Sequence, residues 1–102
     1  MNRYLCIALA AGSIVSTSAF ADVKLATAKN CMACHAIDKK VVGPAFKDVA
    51  AKYGSQKGAE DALVQKVLKG STGAWGGMPM PANTGVNEKE ARTLVQWVLQ
   101  QK

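Results

Sequence analysis

Histidine is almost missing from this 102-residue chain: His35 is the only one. That excludes a Ser–His–acid triad with a histidine to spare, and any centre that needs two imidazoles from one chain. Cysteine is scarce as well, at three, namely Cys6, Cys31 and Cys34. A small domain stapled by several disulfides is therefore excluded. Acidic residues are few, 7 against 13 lysines and arginines. Even so, no block of five or more like charges occurs and no nucleic-acid-binding motif is present, so the positive balance reads as a solvated lysine surface. No apolar run reaches the roughly 20 residues that a bilayer span requires. Internal repeats and low-complexity segments are lacking too.

What is present begins with a three-part leader. Arg3 supplies positive charge, an apolar run extends from Tyr4 to Val15, and Ala19-Phe20-Ala21 is an A-x-A cleavage pattern. Residues 1–21 are expected to be a secretory signal peptide, and 22–102 the mature domain. Cys6 stands early in the leader, away from the cleavage point where a lipid-attachment cysteine would lie, and is expected to be discarded. The mature chain would keep 81 residues, 12 of them basic and 7 acidic. A core that small commonly needs a disulfide, metal or cofactor to supplement it.

The mature segments read as all-α, about four helices. Asp22 to about Cys34 is rich in Ala, Lys and Leu. In "VVGPAFKDVAAKYG", Pro44 suits a helix start, where its missing N–H is not needed. Phe46, Val49, Ala50 and Tyr53 then share one face. "GAEDALVQKVLKG" turns Ala59, Leu63, Val64, Val67 and Leu68 inward between two glycines. In "NEKEARTLVQWVLQQK", Asn87 and Glu90 form a capping box, and Ala91, Leu94, Val95, Val98 and Leu99 form the apolar stripe. Between the last two helices lies "GSTGAWGGMPMPANTG", sixteen residues with five glycines. A loop of that length in so small a domain commonly serves function.

The chemistry concentrates in "NCMACHAID", a Cys31-x-x-Cys34-His35 arrangement. A thiol–disulfide oxidoreductase usually carries such a pair at a helix start beside a βαβ pattern, and no strand pattern precedes Cys31. A structural zinc site wants four Cys or His ligands, and the mature chain offers three. Covalent haem fits: two cysteines on one turn form thioethers to the two vinyl groups of a porphyrin, and the adjacent histidine ligates the iron. The single histidine leaves a methionine, a lysine or an open position for the sixth ligand. Met32 lies inside the attachment motif, whereas Met78 and Met80 lie in the glycine-rich loop. Met80 is the preferred candidate because Pro79 and Pro81 fix the backbone on both sides of it.

These stretches, together with "WGGMPMPAN" and "EARTLVQWVLQQK", are similar to small bacterial class I cytochromes c of the cytochrome c-551 type, over the entire mature chain. The resemblance implies a compact class I cytochrome c fold wrapped around one haem c. It implies that Cys31 and Cys34 carry the haem and that His35 and Met80 are its axial ligands. It further implies that the Pro44 carbonyl accepts the second imidazole N–H, that the Asn83 amide approaches the Met80 sulfur, and that the Trp75 indole N–H meets a haem propionate. Lys66 stands where the family often has arginine near that propionate, and lysine offers a point charge where arginine offers a fork.

With both axial positions filled, nothing is left for oxygen or substrate, so the expectation is a periplasmic one-electron carrier and not an enzyme. The alternatives are a haem sensor or peroxidase-like enzyme, if Met80 is labile, and a thiol–disulfide oxidoreductase. Expected partners are redox proteins of a respiratory chain that dock transiently at an exposed haem edge. Val41, Val42, Ala45, Met78 and Ala82 would surround that edge, with Lys29, Lys39, Lys40 and Lys47 outside them. No nucleic acid, no membrane span and a monomeric state complete the expectation.

Overall fold

A computed structural model describes residues 18–76 and 78–102. The leader up to residue 17, Cys6 included, lies outside the described residues, as does Gly77. Four helices follow in order: α1 (Ser18–Ala28), α2 (Phe46–Tyr53), α3 (Ala59–Lys69) and α4 (Glu88–Leu99). A single 3₁₀ turn, Cys31–Ala33, stands between α1 and α2. Among the described residues there is no strand, only two isolated bridges, His35 with Lys40 and Ser71 with Met80.

The first helix is shorter at its C-terminal end than its composition suggests. It stops at Ala28, and Asn30 turns left-handed with φ 64°. Asparagine tolerates that conformation better than most residues, which makes it a helix stop. The attachment motif therefore starts a new turn after a break instead of ending α1. Pro44 likewise precedes α2, whose N-cap is Ala45. The glycines flanking α3 behave as read: Gly58 caps its start at φ 79° and Gly70 its end at φ 86°. Glu60 and Asp61 in its first turn and Lys69 in its last complement the helix dipole.

α4 is the spine of the fold, packing on α1, α2 and α3. Its capping box is formed: Glu90 N–H donates to Asn87 Oδ1 at 2.8 Å, and Asn87 N–H donates to Glu90 Oε1 at 3.2 Å. Such a cap stabilises by about 1 kcal/mol. Ala91, Leu94 and Val95 are buried as the stripe requires, and Trp97 joins them. Trp97 lies on the flank of the stripe and is drawn in by an edge-on contact with Phe46, ring centroids 5.3 Å apart. Arg92 fastens α4 to α3, with Nη1 3.1 Å from Glu60 and 2.8 Å from Asp61, and these two carboxylates hold the guanidinium pKa above its ordinary value.

Candidate functional site

The turn at Cys31–Ala33 sets the spacing of the site. Cys31 C=O accepts from the N–H of Cys34 at 3.2 Å and of His35 at 3.0 Å. In a 3₁₀ turn the side chains at i and i+3 eclipse one another, so the two sulfurs project to the same side. Both cysteines are unpaired and half-buried. Burial pushes the Cys31 thiol above its ordinary pKa, outweighing a backbone hydrogen bond that lowers it. A reactive thiol needs the opposite shift, so Cys31 is poorly suited to thiol exchange. Among the described residues no group of three or more His, Cys, Asp or Glu comes together as a metal cage.

His35 is held from three directions. Its Nδ1–H donates to Pro44 C=O at 2.8 Å. That bond fixes the tautomer and leaves Nε2 as a free lone pair, the form in which imidazole binds a metal. Phe46 stacks on the ring with centroids 4.9 Å apart. Gly43 presses against it: a Cβ built there would fall 2.5 Å from Cε1 and 2.9 Å from Nδ1. The loop that carries Gly43 and Pro44 is itself tied to the motif, since Cys34 C=O accepts from Gly43 N–H at 2.7 Å and Val42 N–H at 3.1 Å. Nothing in the local pattern marks Gly43 as needed; a glycine before a proline reads as an ordinary loop end.

The glycine-rich loop supplies the rest. Met80 is paired with Ser71 by two backbone bonds, 2.9 Å and 2.8 Å. Gly70 makes room for this return, because a Cβ on it would come within 2.8 Å of Met80 C=O. Asn83 anchors the far end of the loop to α3: its backbone N–H and its amide Nδ2 both donate to Val67 C=O, at 3.1 Å and 2.9 Å. An amide nitrogen carries two N–H donors, so one remains for another acceptor. Trp75 is 41 % exposed, edge-on to Tyr53 at 6.4 Å. Lys52 Nζ sits 4.4 Å above its ring and donates to Ala74 C=O at 3.0 Å. Lys66 Nζ donates to the Tyr53 hydroxyl at 3.4 Å.

Most of these residues face one cavity of about 920 Å³. Cys31, Cys34, His35, Pro44, Trp75, Met80 and Asn83 line it, so every site residue read from the sequence is brought to one place. The apolar wall is made by Phe46, Val49, Leu63, Val67, Leu94 and Val98. The volume lies at the upper end of the range for small-molecule and cofactor pockets, about 300–1,000 Å³. A flat apolar macrocycle with two attachment points and a metal suits this donor set: two sulfurs, one imidazole of fixed tautomer, a thioether, and lysine and aromatic groups at the rim. The residues present fit haem c.

Of the expected rim residues, Ala82 is exposed but does not line the cavity, and two more are placed differently. Ala45 is buried, 2 % exposed, because it caps α2 against the core. Lys29 is engaged, with Nζ 3.4 Å from Glu90 and donating to Gly85 C=O at 2.9 Å. Neither is free to meet a partner. Val41, Val42 and Met78 line the cavity and remain exposed.

Comparison with known proteins agrees with this geometry. The cytochrome c family model matches residues 21–102. Cytochrome c-551 of Pseudomonas aeruginosa is 52 % identical over 105 aligned residues, covering all of both chains. Cytochrome c-552 of Nitrosomonas europaea is 46 % identical, covering 88 % of this chain and 87 % of that one. The crystal structure of wild-type Nitrosomonas europaea cytochrome c552 superposes with a TM-score of 0.76, over 78 % of this chain and 99 % of the other. The cavity, its two cysteines and these similarities lead to one assignment: the chain belongs to the cytochrome c family, as a small single-haem class I electron carrier of the c-551/c-552 type whose haem c is bound covalently through two cysteines.

Proposed function

We propose that His35 Nε2 and the Met80 sulfur are the axial ligands of the haem iron, and that the protein carries single electrons between redox partners in the periplasm. The bound group supplies a one-electron Fe(II)/Fe(III) couple. The chain's own residues determine how that couple is used. Cys31 and Cys34 keep the cofactor from dissociating. Pro44 C=O, by accepting from Nδ1–H, keeps the imidazole in the ligating tautomer. A neutral, soft thioether from Met80 favours the reduced iron and raises the potential. The second N–H of Asn83 is directed to that sulfur, and the indole N–H of Trp75 and the Lys66 ammonium serve propionate oxygens at the rim.

The observation that carries the reading is the convergence of His35 and Met80, 45 residues apart in sequence, on one cavity with the two cysteines. With both ligands retained through the cycle, little has to rearrange, and no position is open to oxygen or peroxide. The exposed Val41, Val42 and Met78 make an apolar contact patch, with Lys39, Lys40 and Lys47 exposed nearby in sequence. A small patch with a charged surround suits brief redox encounters. Export follows from removal of residues 1–21, a reading supported by the start of the family match at residue 21. Cleavage there would leave α1 beginning at Asp22, an acidic residue suited to a helix N-terminus.

Absorption spectra of the purified protein test the ligand set. The oxidised form should show the weak far-red band of a thioether bound to ferric iron, and the reduced form should bind carbon monoxide slowly or not at all. Rapid carbon monoxide binding and no far-red band would indicate an open iron and a sensor or peroxidase-like role. An intact mass beginning at Asp22 checks the cleavage.

A further inference from the structure

The loop carries two methionines two residues apart, and the structure treats them oppositely. Met80 is half-buried, and its backbone is locked to Ser71 by two hydrogen bonds. Met78 is 76 % exposed, the most exposed of the large apolar side chains among the described residues. Met32, the remaining methionine of the mature chain, is half-buried against the hydrophobic core. Met78 also lines the mouth of the cavity with Val41 and Val42, which are 48 % and 49 % exposed. The mouth thus presents a flexible, polarizable thioether to solvent at the place where electrons must pass. Nothing in the packing requires sulfur there, and a branched aliphatic residue would serve contact alone.

We propose that Met78 is a peroxide-sensitive modification site whose oxidation to the sulfoxide slows electron exchange while leaving the iron ligands intact. The proposal rests on the reading of the cavity mouth as the contact surface. The oxidant is hydrogen peroxide or an organic hydroperoxide. The Met78 sulfur lone pair attacks the terminal peroxide oxygen, the O–O bond breaks, and an S–O bond forms. Sulfur loses two electrons, and water or an alcohol leaves. The sulfoxide is polar and chiral where the thioether was apolar and adaptable. Dehydrating it in a contact that offers it no donor opposes docking. Met80 is protected by burial and by engagement of its lone pair at iron, and Met32 by packing. Methionine sulfoxide can be enzymatically reduced, so the change is reversible.

The test uses the mature haem-loaded protein and a short exposure to dilute hydrogen peroxide. Peptide mass spectrometry locates the added oxygen, the far-red band reports the iron ligands, and NMR line broadening in mixed oxidised and reduced samples gives the self-exchange rate between copies. The expected result is one oxygen on Met78, an unchanged far-red band and a severalfold slower self-exchange, restored by methionine sulfoxide reductase. Met78→Leu should fold normally, given its exposure, and keep its rate through the same treatment. Oxygen appearing first on Met32 or Met80 overturns the proposal. So does self-exchange that is indifferent to Met78 oxidation, or that slows equally in Met78→Leu. A far-red band absent before peroxide is added overturns the ligand reading itself, and the proposal with it.

Discussion

The two sides of the cavity are built by different means. The side that carries His35 comes from sixteen consecutive residues, Cys31 to Phe46, and its contacts close over short distances. Cys31 C=O caps the turn, Cys34 C=O gathers in Gly43, and Pro44 and Phe46 hold the imidazole. The side that carries Met80 is a loop whose fixed points come from α3: Ser71 just beyond its end and Val67 within it. Between those points Trp75, Gly76 and Met78 are exposed. A wall buttressed by a buried aromatic should open only when the domain unfolds. A loop held mainly by hydrogen bonds should open by itself, at lower free energy. Durable attachment on one side and, on the ligand set proposed above, an adjustable ligand on the other follow from that asymmetry.

Phe46→Ala is the sharpest way to break the first side. Phe46 is 5 % exposed and touches both His35 and Trp97. Its truncation should cost about 3–5 kcal/mol, the range for a buried aromatic. The loss should appear as one cooperative transition in denaturant, with Trp fluorescence and the haem bands moving together. Separate transitions would mean that the imidazole side is no more integral to the fold than the loop.

Gly70→Ala addresses the second side and should do less. At φ 86° and ψ 172° the backbone occupies a region that favours glycine almost alone, and an added Cβ meets Met80 C=O. Strain of about 1–3 kcal/mol is expected, relieved by releasing the Ser71–Met80 pair. The far-red band should weaken and amide exchange at Met80 should accelerate, while exchange at His35, whose N–H is held by Cys31 C=O, stays slow. Equal acceleration at both amides would erase the distinction between the sides.

The asymmetry also explains how much could be read without coordinates. The cysteine and histidine spacing is local, so the motif announced its own geometry. The apolar faces of α2, α3 and α4 follow helical period, and Phe46, Val49, Leu63, Val67, Leu94 and Val98 from those faces all line the cavity. The capping box of Asn87 and Glu90 was equally legible. Contacts between distant segments were not. Gly43 against the imidazole, Gly70 under Met80, and the turn of Lys29 from solvent toward Gly85 and Glu90 leave no periodic trace. The break at Asn30 was hidden because alanine and lysine carry helical propensity up to it, and a single left-handed residue ends the run. Met80 comes forward as the proposed ligand because one histidine sends the search elsewhere and Pro79 and Pro81 flank it, but its backbone pairing with Ser71 left no trace.

The smallest effect is expected where the two sides meet. Lys29, two residues before Cys31, bridges to Gly85 at the end of the loop and to Glu90 in the first turn of α4. The Asn87 backbone N–H, with Lys29 assisting, holds the Glu90 carboxyl below its ordinary pKa. A carboxylate whose folded pKa is depressed binds its proton more weakly folded than unfolded. Its contribution is therefore complete above the unfolded value, about 4.3, and is lost as pH falls through the lower folded value. Glu90→Gln removes that dependence. The melting temperature of the parent should exceed that of Glu90→Gln by a small margin at neutral pH, and the margin should close below about pH 4.3. A margin that widened on acidification would reverse the sign of the linkage. One that stayed flat would assign the cap to hydrogen bonding indifferent to charge. In either case Lys29 would lose its part as the electrostatic seam between the attachment turn and the glycine-rich loop.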